Sequence, residues 1–147
     1  MTDRVTPVEL ELAIKNAEHS DSESLRKVLL QFVMSRVIVL MDKSWDGKGR
    51  PQDGTRMMFV SDGPNMEQLM LAVFTGTTYT DAFIAADNPF RHVVEVDARF
   101  AILGLSEGTG IIINPNAETS FRIDPAIGKI MRDGALEQLR NLHQSSN

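Results

Sequence analysis

Ser106 stands in Gly104-Leu105-Ser106-Glu107-Gly108, the G-x-S-x-G pattern in which a serine hydroxyl becomes a nucleophile for acyl transfer. Asp133 and His143 follow it in the chain order of α/β-hydrolases, so a small serine hydrolase acting through Ser106 is one reading. That chemistry needs a strand before the serine and a helix after it, because such a turn lifts the hydroxyl above a sheet. Here the apolar Ala98 to Leu105 predicts a helix before the serine, and Ile111-Ile112-Ile113 predicts a strand after it. His143 falls in a closing segment whose composition predicts fraying, a poor place to fix an imidazole tautomer. The alternative is a glycine loop that ends a helix.

Asp42, Ser44, Asp46, Gly47 and Asp53 occupy positions one, three, five, six and twelve of a calcium-loop pattern, whose oxygens need that spacing to surround the ion. Position eight is Gly49, where an apolar residue is usual. Lys43, Lys48, Arg50 and Arg56 add positive charge, and the preceding run reads as a strand. A solvated loop is the expectation. His19, His92 and His143 are too scattered for a metal site, and there is neither a Walker A pattern nor a G-x-G-x-x-G fingerprint. No metal and no cofactor is expected. The residues that carry a binding hypothesis are Thr75, Thr77 and Thr78, where a buried strand enters a hydroxyl-rich helix start, together with Asn114 and Asn116, where another buried strand ends. Strand exits of this kind line clefts in mixed sheets, and helix-start amides beside hydroxyls receive carboxylates or phosphates. The bland reading gives Thr75 or Thr77 a capping role and Asn114-Pro115 a turn.

The elements that must position these residues follow from periodicity. Thr6-Pro7-Val8-Glu9 is a helix start, followed by Leu10, Ala13, Ile14 and Ala17 at helical spacing. A second start at Ser20-Asp21-Ser22-Glu23 leads into the stripe Leu25, Val28, Leu29, Phe32 and Val33. Val37 to Met41 is an unbroken, largely β-branched run, as a strand buried on both faces requires. Asp42 to Arg56 reads as a long glycine-containing loop carrying Trp45, the single tryptophan. Arg56 to Ser61 and Gln68 to Phe74 predict two strands around an Asp62-Gly63-Pro64-Asn65 turn, with Met41, Met57, Met58 and Met70 filling core gaps. Thr77 to Ala86 predicts a helix that stops at Asn88-Pro89, and His92 to Asp97 a half-buried strand. The helix from Ala98 stops at Gly108 and Gly110, before the apolar strand Ile111 to Ile113. Asn114-Pro115-Asn116-Ala117 then turns the chain into a strand over Thr119 to Ile123. Asp124-Pro125 starts a last helix that Gly134 ends or kinks before Leu136, Leu139 and Leu142. The expected fold is a single α+β domain over residues 1–147, with its core at about 8–142 and a frayed tail at 143–147. Five or six strands form a mixed sheet covered by the N-terminal and C-terminal helices. The order from Gln68 to Ile113 permits parallel neighbours, and the pair around Asn114 is expected to be an antiparallel hairpin.

Composition bounds the function. At 147 residues, 42% hydrophobic and 24% charged, the chain has the make-up of one soluble globular domain. With 20 acidic against 15 basic residues it should repel a phosphate backbone, so nucleic acid is not an expected partner. Cysteine is absent, which excludes disulfides, thiolate nucleophiles and thiolate-held metals. No apolar run approaches the roughly 20 residues of a membrane span, and the opening Met-Thr-Asp-Arg-Val-Thr-Pro lacks the apolar core of a secretion signal. The expectation is a cytoplasmic protein that does not meet a membrane.

Several of these segments occur together in an order that resembles the N-terminal domain of the SseB family, bacterial proteins named for enhanced serine sensitivity. They are the amphipathic opening helix, Leu29 and Phe32 to Ser35 before the strand Val37 to Leu40, the VFTG at Val73 to Gly76, a helix, and the IIINPN at Ile111 to Asn116 followed by a helix. The chain departs from the family at Ala72, where proline is usual, at Gly76, where serine is usual, and at Asn116, where glycine is usual. Asparagine tolerates the left-handed conformation such a glycine adopts. The resemblance implies a cytoplasmic α+β domain linked to serine or amino-acid metabolism, and brings no catalytic residues. The reading is therefore a non-catalytic binding or regulatory module, not an enzyme, whose partner is a protein or a small metabolite. Besides the Ser106 hydrolase, the alternative is a self-associating structural protein, a homodimer formed through an apolar patch that includes Trp45.

Overall fold

The computed structural model describes residues 7–16, 22–46, 48, 51–62, 68–85, 89–106, 108–117 and 120–134. Thr6, the Ser20-Asp21 start, His19, the Gly63-Pro64-Asn65 turn, Ala86, Asn88, Thr119, the leucines from 136 to 142, His143 and the tail lie outside them. Helix α1 spans Pro7–Asn16 and α2 spans Ser22–Val33. Val28 and Phe32 of the α2 stripe are fully buried, each burial contributing roughly 1.5–3 kcal/mol. At the end of α2, Ser35 joins helix to strand: its Oγ donates to the Gln31 carbonyl at 2.7 Å and its own carbonyl accepts the Ala98 N–H at 3.0 Å.

Six strands follow: β1 Arg36–Met41, β2 Phe59–Asp62, β3 Gln68–Val73, β4 His92–Asp97, β5 Gly110–Ile113 and β6 Phe121–Ile123. Helix α3 (Thr77–Ala85) connects β3 to β4, and α4 (Ala98–Leu103) connects β4 to β5. A fifth helix, α5, covers residues 125–134, Gly134 being the last described residue. The strands form two hydrogen-bonded sets rather than one uninterrupted sheet, an antiparallel pair β1-β4 and a mixed set in the order β2-β3-β5-β6. Two bridges, Ile38 to Phe74 and Met41 to Met57, join β1 to the larger set. As the strand order permits, β3 and β5 are parallel neighbours, with Val73 opposite Ile113. β5 and β6 form the expected antiparallel hairpin.

Successive side chains of a strand point to opposite faces, and β1 and β3 fill both. Val37, Val39 and Met41, with Leu71 and Val73, join one cluster with Leu10, Ile14 and Phe32 of the N-terminal helices and Ala101 and Ile102 of α4. Ile38, Leu40, Ala72 and Phe74 join a second cluster with Tyr79, Phe83 and Ile84 of α3. Phe74 and Phe83 meet edge to face, with ring centroids 5.4 Å apart. The domain is thus α+β, with helices packed over a β core.

Candidate functional site

Parallel pairing of β3 with β5 brings the two exits of the binding hypothesis together. The Asn114 N–H donates to the Val73 carbonyl at 2.8 Å, extending the ladder by one residue. Beyond it the Asn114 side chain takes over from the backbone: Oδ1 accepts the Thr75 N–H at 2.9 Å, and Nδ2 donates to Thr75 Oγ1 at 2.9 Å. Asn114 is fully buried and Thr75 nearly so. The Asn114 backbone is left-handed at φ 49°, as is that of Asn116 at φ 67°. With Pro115 between them and the Ala117 N–H on the Asn114 carbonyl at 3.1 Å, the segment has the pattern of a type II turn. Asparagine stands at the position that favours glycine, as the departure at Asn116 requires. Thr77 and Thr78 are exposed in the first turn of α3, and Asn116 is exposed at the turn tip. Asn114 and Thr75 are therefore a buried clasp between strand ends. An Asn114→Ala change thus acts on stability.

A cavity of about 280 Å³ opens at the opposite end of β5. β5 rises only about 10 Å between the two sites. One wall is the loop after α4, with Leu105, Ser106, Gly108 and Thr109; the other is the first turns of α5, with Pro125, Gly128, Lys129 and Arg132. The walls meet because the β5-β6 hairpin sets the end of β6 beside the start of β5, and residues 125, 128, 129 and 132 recur on one helix face. Two glycines permit the approach. A Cβ on Gly110 would run into the Ile123 carbonyl oxygen, and one on Gly128 would lie 3.2 Å from Leu105 Cδ1. Gly108 turns the loop at φ 83°, where Thr109 donates to the Ser106 carbonyl through both its N–H (3.1 Å) and its Oγ1 (2.6 Å). Arg132 crosses the gap, its Nη1 donating to the Leu105 carbonyl at 2.7 Å, and Nε is buried with no partner among the described residues.

Ser106 lies on this cavity, exposed, in the order helix, loop, strand, the reverse of a nucleophile elbow. Asp133 is exposed on α5, and His143 lies outside the described residues. The calcium-loop pattern resolves differently. Asp42 Oδ1 accepts the Arg56 N–H at 2.7 Å, and Oδ2 pairs with Arg56 Nε at 3.2 Å, which closes the loop at its base. These bonds hold the Asp42 carboxyl below its ordinary 3.8, the Arg56 backbone N–H being the largest cause. Asp46 accepts the Lys48 N–H, and among the described residues no group of three or more His, Asp or Glu could hold a metal ion. Trp45 is also engaged, with its ring 4.9 Å from that of Phe100 and its Nε1 donating to the Lys48 carbonyl at 3.0 Å.

Comparisons with protein-family models, with curated proteins and with solved structures each return no match. The cavity is thus read from its own chemistry. Of its lining, the G-x-S-x-G pattern holds Leu105, Ser106 and Gly108, whereas no motif in the sequence singles out Lys129 and Arg132. The available signal was their spacing from Pro125, with Gly128 as the small residue on the same face.

Proposed function

We propose that this domain is a non-catalytic binding module that holds a small metabolite between the 105–109 loop and the start of α5. The observation that carries the reading is the cavity itself, about 280 Å³ with apolar walls and a few polar groups, a size and lining suited to a small ligand. The element order around Ser106 supports binding rather than acyl transfer, since the turn that would activate the hydroxyl is missing. The family resemblance, carried by the VFTG and IIINPN segments at the ends of β3 and β5, adds a cytoplasmic setting and a link to amino-acid metabolism as part of the same proposal. No described helix is long and apolar enough to cross a membrane.

An NMR fragment screen with neutral, cationic and anionic compounds tests the reading. Hits should move the amides of Ser106, Thr109 and Lys129, and a screen whose hits all map elsewhere overturns it. Because Ser106 lines the cavity, the hydrolase alternative deserves a direct test with a serine-reactive fluorophosphonate. Labelling no greater than that of Ser106→Ala is expected; labelling that vanishes in that variant would make the cavity an active site.

A further inference from the structure

We infer that the ligand of this cavity is a small organic acid, with an oxyanion head facing Lys129 and Arg132 and a compact apolar body against Leu105 and Pro125. The inference rests on the binding reading above and adds the ligand's charge. A chain of net charge −5 places two cations on this cavity, and among the described residues that line it there is no Asp or Glu. Arg132 has donors to spare. A guanidinium offers five N–H groups, and here Nη1 is held by the Leu105 carbonyl and Nε is buried, so Nη2, which is not buried, is the nitrogen left to meet a ligand. The Leu105 contact fixes the plane of the group, so donors not used by that carbonyl are oriented in advance of binding. Lys129 is exposed, so its ammonium is free to swing toward a bound anion. The Ser106 hydroxyl is a third donor on the same cavity. A cationic ligand would meet two like charges here, and a neutral one would leave both without a counterion.

Three probes with the same propyl body separate the possibilities: butyrate, its neutral isostere butyramide, and propyl phosphate, each titrated against the whole chain while the amides of Ser106, Thr109 and Lys129 are followed by NMR. At least one anion should bind at this site about tenfold or more tighter than butyramide, the scale of a charge-assisted hydrogen bond. Which of the two anions binds tighter tells carboxylate from phosphate. Lys129→Gln should weaken the anion about three- to tenfold while leaving the melting temperature in place, since the side chain is exposed. Arg132→Lys, which keeps the charge but loses the planar fork, should also weaken it. Butyramide binding at this site as tightly as the anions would overturn the charge inference and leave the binding reading standing. Anion binding that Lys129→Gln and Arg132→Lys both leave unchanged would also overturn it. If no probe moves these amides, both readings fall.

Discussion

At the scale of single residues, Asn114 shows how a side chain can continue a β-ladder where the backbone cannot. Its amide reproduces the donor and acceptor pair of a strand residue toward Thr75, and its left-handed φ directs the backbone into the Pro115 turn. Asn114→Ala loses both bonds, strands a buried Thr75 N–H and places a Cβ-bearing residue without compensation at φ 49°. The expected loss is about 2–4 kcal/mol in urea unfolding. Asn114→Gly loses the same two bonds but relieves the left-handed backbone, and should be less harmful than alanine by about 1 kcal/mol. An alanine variant as stable as the parent would mean that the clasp contributes nothing. Asp42 gives the pH counterpart. Its folded pKa lies below the ordinary 3.8, so the stability it contributes is fully present above that value and is lost as pH falls through the depressed folded value. Asp42→Asn should therefore lower the melting temperature near neutral pH and flatten its fall below about pH 4. An unchanged acid limb would show that the Asp42–Arg56 contact does not persist in solution.

At the scale of elements, the β5-β6 hairpin decides where the cavity lies. Gly110 reads in the sequence as a helix stop, yet it is the first residue of β5, and its missing Cβ lets the Ile123 carbonyl close in, with Met70 Cε and Pro125 N only 2.9 and 3.0 Å from where a Cβ would stand. Gly110→Ala would force β6 and the start of α5 outward, because the nearest obstacle is backbone. A loss of about 2–3 kcal/mol is expected, with amide shifts spread along α5. Gly128→Ala is tight only against the movable end of Leu105, with the Thr109 carbonyl and Gly110 Cα at ordinary contact distance, and gains helix propensity, so its effect should stay within about 1 kcal/mol. Similar losses for the two variants would refute this division between backbone and side-chain obstacles. The elements themselves were legible. Continuous apolar runs mark β1 and β5, and alternation marks β4, whose outer positions Val93, Glu95 and Asp97 are exposed. The binding groups were less so, because Lys129 and Arg132 look like any solvated helix face until hairpin register sets them against the 105–109 loop. Asn114 and Thr75 both read as strand exits, and the parallel β3-β5 pairing sets them side by side, but local sequence does not reveal that their polar groups satisfy each other.

At the scale of the whole molecule, two apolar clusters on opposite faces of the strands are coupled by the strands they share. Residues 37, 39 and 41 of β1 enter one cluster and residues 38 and 40 the other; β3 and the residue that follows it divide in the same way between Leu71 with Val73 and Ala72 with Phe74. Losing either cluster therefore frees the strands on which the other is built, and unfolding should be a single cooperative transition. Trp45 makes this testable, because it packs on Phe100 against the first cluster, while Phe74 belongs to the second. Phe74→Ala empties a fully buried site and should cost about 3–5 kcal/mol. If the coupling holds, the urea midpoint read by Trp45 fluorescence falls together with that read by far-UV circular dichroism, although the substitution is on the other face of the strands. A Trp45 midpoint that stays in place while the dichroism midpoint falls would mean two separately folding layers.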